Sequence, residues 1–311
     1  MSHIPAIRLV ILICLVSGCA REPARVARAA GERRAITVNE LSVTVIYVPA
    51  ERFFTGVDDA GQAAVEHPFW IMETEVTYRL WKTVWDWAVD KGGYSFSIGG
   101  LKGSDGTGDE TQPVTTINWT DAAVWCNALT EWVNAQTGAG LSCAYVKNGV
   151  PFRDFTRKQA GEALKLTAVP DGVTGFRLPW SREWELAARY KADVNHDGDI
   201  MDPGEYYPGN YVSGAAAPYT DEAASLKVAV LNRGRTAPVK SLLPNALGLY
   251  DMGGNVEEWC FDHSPLQWSL ARDTKGGNWL YGPDDARIGL TVPHDTYNEY
   301  FLGGFRAVRS E

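Results

Sequence analysis

From Thr77 the apolar residues fall at Leu80, Trp81, Val84, Trp85 and Ala88, spacings of three and four that set them on one helical face. Thr77 supplies an N-cap and Gly92-Gly93 a stop. A second helix is predicted after Asn118-Trp-Thr120, with Thr120 as its cap and Ala122, Trp125, Cys126, Leu129, Trp132 and Val133 on one stripe. A third, over residues 181–190, follows Gly175-Phe-Arg-Leu-Pro179 and turns Trp184, Ala187 and Ala188 inward. Extended segments are read at 36–49, where Val43, Val45 and Tyr47 alternate with Thr44, Ile46 and Val48, and at 67–75. Residues 99–110, rich in Gly and Asp, read as a surface loop, 138–173 as a hairpin with an excursion, and 191–240 as turns. Helices and short strands mixed with long irregular stretches predict a loop-rich α+β fold. No repeat of fixed period appears.

The amino terminus stands apart from this pattern. Arg8 precedes an apolar run at 9–16, about half of what is needed to span a bilayer. The run ends in Leu15-Val-Ser-Gly-Cys19, which resembles a bacterial lipobox and makes Cys19 the expected lipidation site; an ordinary secretory signal with an incidental cysteine is the alternative. The expected organisation is a signal peptide at 1–18, an Arg- and Ala-rich tether at 19–39 and a single domain at 40–311. Ala20 after the lipidation cysteine points to the outer membrane or cell surface of the envelope, with the membrane as a partner through the anchor.

The 311 residues are 45% hydrophobic and include 12 Trp, enough for a substantial core pinned by aromatic anchors. Loss of the signal removes one base and no acid, taking the net charge from −9 to −10. Nucleic acid is therefore not an expected partner. Beyond Cys19 only Cys126, Cys143 and Cys260 remain, so one intrachain disulfide at most can form, and Cys126 and Cys260 sit among apolar neighbours.

Six segments in order resemble the sulfatase-modifying factor family, that is, a formylglycine-generating-enzyme-type domain over about residues 40–311. They are Glu75-Val-Thr77; Pro113-Val-Thr-Thr-Ile-Asn-Trp119; Phe176-Arg-Leu-Pro179 with Glu183-Trp-Glu-Leu-Ala-Ala-Arg189; Asp251-Met-Gly-Gly-Asn-Val-Glu-Glu-Trp259; Lys275-Gly-Gly-Asn-Trp279; and Gly304-Phe-Arg306. The resemblance implies a variant of the C-type-lectin-like fold. In catalytic members two cysteines after the Lys-Gly-Gly stretch bind copper and oxidise a substrate cysteine to formylglycine. Here those positions fall at Tyr281 and Ala286, and neither can replace a soft thiolate, so copper is not expected. The five histidines show none of the spacing of the iron-binding branch.

The resemblance further implies structural Ca2+ held by the carbonyls of Gly254 and Val256 with the acids Asp251 and Glu258, and a second site at the carbonyls of Asn210 and Tyr211 with an acid near Asp221. Independently, Asp193-Val-Asn195-His-Asp197-Gly-Asp199-Ile matches the first eight positions of an EF-hand-type loop, although the twelfth is Gly204 and Glu205 comes one residue late. If a cleft exists where family active sites lie, Asn278, Trp279, Tyr281, Asp284 and Arg306 line it. The expectation is a lipid-anchored, non-catalytic protein with structural calcium that binds a peptide, glycan or envelope protein, the alternative being a formylglycine-generating oxidase dependent on copper and oxygen. Sugar binding through calcium lacks its Glu-Pro-Asn, Gln-Pro-Asp or Trp-Asn-Asp triplet.

Overall fold

Two larger sheets and three main helices are built around two large apolar cores in the computed structural model, which describes residues 28–38, 40–154, 166, 169–170, 172–264 and 271–311. The expected signal peptide and Cys19 lie outside the described residues, as do residues 20–27 and 39 of the expected tether, whereas Arg33–Val38 within it forms a strand. A five-stranded antiparallel sheet runs in the order Arg33–Val38, Leu41–Val48, Phe69–Met72, Val308–Ser310, Phe176–Arg177. The segment expected as one strand at 36–49 is thus two, paired as a hairpin with Ile36 opposite Val43.

Alternation along Leu41–Val48 does not separate core from solvent. Val43, Val45 and Tyr47 join one core while Ile46 and Val48 join the other, so this strand carries apolar residues on both sides. On the first side lies the helix Trp119–Thr137, buried all round from Trp119 to Thr130. Its Trp125 stacks on Trp81 of the helix Tyr78–Trp87 at 5.7 Å, and Phe305 meets both edge-on. On the second side, Trp184, Ala187 and Ala188 of the helix Ser181–Arg189 pack on the strands, as their spacing predicts.

Thr77 caps the first helix through the N–H of Leu80, and Gly93, at φ 67°, closes it after a π-turn at Ala88–Gly92. The cap of the second helix is Asn118 rather than Thr120. Asn118 Oδ1 accepts from the N–H of Asp121, while Thr120 donates its hydroxyl to the same oxygen. The three cysteines are free, with Cys126 and Cys260 fully buried. The second sheet runs Val292–Asp295, Ala271–Lys275, Glu257–His263, Gly303–Gly304, and its last pair is parallel. It carries three of the six segments on which the family resemblance rests, those ending at Trp259, starting at Lys275 and starting at Gly304. The α+β, loop-rich expectation holds.

Candidate functional site

The turn entering Glu257–His263 places Asp251, Gly254 and Asn255 at positive φ, which suits Asp, Gly and Asn. Asn255 ties four segments together. Its Nδ2 donates to Glu75 Oε2 at 2.7 Å, its Oδ1 accepts from the N–H of Ala237, its N–H meets the Val230 carbonyl, and its own carbonyl accepts from the N–H of Trp279. Two residues into the strand, Glu258 faces Arg306. The guanidinium donates to both carboxylate oxygens at 2.6–2.9 Å and also to the carbonyls of Met72 and Tyr250. Glu258 Oε2 accepts from Trp184 Nε1 as well. Arg306 is fully buried, so it is a strut of the core and lines no cleft. This corrects the expectation from sequence.

Three buried carboxylates, Glu75, Asp251 and Glu258, surround that one guanidinium. Burial, then the charges of Asp251 and Glu258, hold Glu75 well above the usual carboxylate range. Burial likewise pushes Asp251 up to about 6. Asp251 Oδ2 accepts from the N–H of Lys240, but Oδ1 is buried without a hydrogen-bond partner. That orphaned oxygen and the local excess of negative charge fit a hard cation, with the carbonyls of Gly254 and Val256 on the same turn. Glu258 contributes less than expected, because both its oxygens already accept from Arg306. At the second expected site, the carbonyls of Asn210 and Tyr211 accept from the N–H groups of Tyr219 and Ile288, and Asp221 caps the short helix Glu222–Ser225.

Past Ala271–Lys275 the chain turns through Gly276 and Gly277. A Cβ on Gly277 would lie 2.7 Å from the Asp285 carbonyl, which explains the glycine. Lys275 is buried and donates to Glu185 Oε2 at 2.8 Å. Burial raises the Glu185 carboxyl, but Lys275 and Arg189 outweigh it and hold it below its ordinary value. Asn278 is buried, with Oδ1 accepting from the N–H of Leu280. Trp279 is 7% exposed and packs with Val230 and Leu302. These two are therefore core residues, whereas Tyr281, 48% exposed, and Asp284 are open to solvent. Ala286 is fully buried among Val212, Val228 and Leu231.

Copper does not fit here. One thiol position is an exposed phenol and the other a methyl group in an apolar cluster. Burial pushes the Cys126 and Cys260 thiols far up and the half-buried Cys143 up to about 12, so none is a ready thiolate.

Around Tyr281 the structure assembles residues that sequence reasoning missed. Tyr300 donates its hydroxyl to Glu257 Oε2, and His294 Nε2 lies 3.5 Å from the same oxygen. The imidazole stacks on the Tyr300 ring at 3.9 Å. Burial, then Glu257, raises the Tyr300 phenol far above its ordinary value. Leu280, Tyr281 and Phe301 stand exposed beside this cluster. Glu257 is adjacent to Glu258 in the motif, but nothing in sequence links it to His294 or Tyr300. The face continues into a polar groove of about 570 Å³ lined by Asp105, Asp109, Gln112, Arg233, Arg235 and Thr236. Backbone bonds join the two parts, from Asn232 N–H to the Tyr281 carbonyl and from Arg233 N–H to that of Trp279.

The EF-hand-like segment is an exposed loop whose side chains accept from its own amides. Asp193 accepts from the N–H of His196, Asn195 from that of Asp197, Asp197 from that of Asp199, and Asp199 from that of Met201. Among the described residues no three His, Cys, Asp or Glu side chains stand ready as an ion-holding group.

Comparison with known proteins agrees with these motifs. A family model described as sulfatase-modifying factor enzyme 1-like domain matches residues 35–311. The chaperone protein LppX of Paenibacillus barcinonensis is 29% identical over 251 residues, 78% of this chain and 80% of its own. The formylglycine-generating enzyme of Streptomyces coelicolor is 39% identical over 122 residues, which span 34% of this chain and 37% of the enzyme. Among solved structures, CarF superposes with a TM-score of 0.67 at 27% identity, covering 86% of this chain and 98% of CarF. Treponema denticola variable protein 1 gives 0.64 at 25% identity, covering 90% and 99%. Pseudomonas aeruginosa PvdO, at 17% identity, a TM-score of 0.54 and coverage of 92% and 100%, shares the fold. The chain belongs to the sulfatase-modifying factor enzyme 1-like domain family.

Proposed function

We propose that this protein is an envelope-anchored member of the family that binds rather than oxidises, in the manner of a chaperone. The observation that carries this reading is the pair of thiol positions, one the exposed Tyr281 and the other the core residue Ala286. Without soft ligands there is no seat for copper(I). What remains is a surface on which Leu280, Tyr281 and Phe301 border a groove carrying Arg233 and Arg235 beside Asp105 and Asp109, a combination suited to an extended peptide segment with apolar and charged groups. The relative from Paenibacillus, aligned over most of both chains, is named a chaperone protein, which supports the same direction.

Cys19 is the proposed lipid attachment, with the tether carrying the domain away from the outer membrane. Calcium is proposed as a structural ion at Asp251 and the carbonyls of Gly254 and Val256. It would balance the buried acids there and satisfy Asp251 Oδ1.

The test pairs two assays on one preparation. Incubation with a Cys-x-Pro-x-Arg peptide, copper and oxygen should give no formylglycine, and suppression of aggregation of a urea-diluted secreted enzyme should fall several-fold in Tyr281→Ala/Phe301→Ala. Conversion of the peptide, or a double variant as protective as the wild type, overturns the reading.

A further inference from the structure

The loop at 193–205 carries more than its sequence match. Ile200, at the eighth position, is fully buried in the second core. Its N–H donates to the Arg52 carbonyl at 3.0 Å, and the Arg52 N–H donates to the Gly198 carbonyl at 3.3 Å. This bridge clamps the loop against the strand Arg52–Thr55 and holds Glu51, one residue earlier, within reach of the charges of the loop's acids. Glu51 is 6% exposed and its Oε2 is buried with no hydrogen-bond partner. Glu205 is 3% exposed; its Oε1 accepts from the N–H of Val194 at 2.7 Å, and its Oε2 too is buried and unpartnered. The charges of Asp193, Asp197, Asp199 and Glu205 all bear on Glu51. Arg52, largely exposed, pairs with Asp199 at 2.7 Å.

We propose that the 193–205 loop, closed by Glu205 and by Glu51 just ahead of the neighbouring strand, is a binding site for one calcium ion. Two buried carboxylate oxygens without donors, facing further carboxylates, are costly unless a cation joins them. The sequence match lacked its terminal acid because position 12 is Gly204. In the fold Glu205 reaches back to the loop's second residue, and Glu51 adds an acid from about 140 residues away in sequence. Asp193, Asn195 and Asp197 supply the remaining side-chain oxygens as they turn from the loop amides to the ion. Such a set is acidic, flexible and rich in oxygen, which suits Ca2+ better than the small octahedral Mg2+. Binding would lock the loop to the core through Ile200 and the Arg52 bridge.

Full-chain protein stripped with EGTA is titrated with Ca2+ alone by calorimetry, beside Asn195→Ala/Asp197→Asn and Glu51→Gln. Asn195 and Asp197 are exposed, so their variant keeps the fold and leaves Asp251 untouched. The expected result is one equivalent of Ca2+ fewer in the double variant, and that equivalent bound at least about tenfold more weakly in Glu51→Gln, with Mg2+ unable to displace it. Identical stoichiometry and affinity in the wild type and the double variant overturn the proposal. So does an unchanged affinity in Glu51→Gln.

Discussion

Replacing Arg306 with Met exposes how much of the fold hangs on one buried guanidinium. In the native chain it makes three charge-assisted bonds to Glu258 and reaches the carbonyls of Met72, Glu73, Tyr250 and Asp251. Methionine fills the stem but leaves Glu258 facing Glu75 and Asp251 with no opposing charge. Removing one partner of a buried pair costs about 3–5 kcal/mol, and the two neighbouring acids place this case at the upper end. For a domain of this size each kcal/mol shifts the midpoint by about 2 °C, so melting should fall by about 8–10 °C. Urea titration followed by tryptophan fluorescence would report the free energy directly, since Trp184 donates to the same Glu258. The loss should be greater at pH 8 than at pH 5, because protonation at low pH relieves the repulsion among the abandoned acids. Glu258→Gln in the same chain should restore at least half of it. A loss below about 1 kcal/mol, or a double variant worse than either single one, would refute the strut assigned to Arg306.

Other outcomes follow from single residues. Asp121, which accepts from the N–H groups of Ser97 and Ile98, is pushed up by burial to about 6 from 3.8; stability it contributes below pH 4 should therefore be lost as pH rises through 6, by about 2–3 kcal/mol, and Asp121→Asn should flatten that slope in urea titrations across this range. Gly277→Ala should cost about 2–4 kcal/mol in thermal melts, since φ is 68° and the Asp285 carbonyl occupies the space. Iodoacetamide at pH 7.5 should leave Cys126 and Cys260 unmodified in the native protein and label Cys143 only slowly, as mass spectrometry would show; rapid labelling of Cys260 would contradict its burial.

The helices were legible because their apolar spacing is also their packing. Trp184 and the stripe from Ala122 to Val133 are buried where the pattern places them. The cap lies at Asn118, two residues before the expected Thr120, because the three adjacent residues Asn118 to Thr120 include two good capping types, and only geometry shows which oxygen meets the Asp121 N–H. The first strand hid a hairpin, since a strand buried on both sides gives no polar face to mark its ends.

At the site, the motifs gave the right segments but not the right orientations. Trp279 and Tyr281 lie two residues apart, one in the core and one in solvent, and Arg306 points inward although its motif neighbours the expected cleft. Glu257, His294 and Tyr300 meet only because the second sheet and the turn before Gly303–Gly304 fold onto each other. Glu51 joins an acidic loop far along the chain through one backbone bridge at Arg52. Contacts of this range leave no periodic trace in sequence.

With Tyr281 and Ala286 at the thiol positions, the family's thiol–copper chemistry has no seat in this chain. The most direct measurement is mass spectrometry of a Cys-x-Pro-x-Arg peptide after incubation with the copper-loaded full chain in oxygenated buffer, beside a Cys260→Ser variant. The peptide should stay unconverted in both. Formylglycine formed by the wild type and abolished in Cys260→Ser would contradict this.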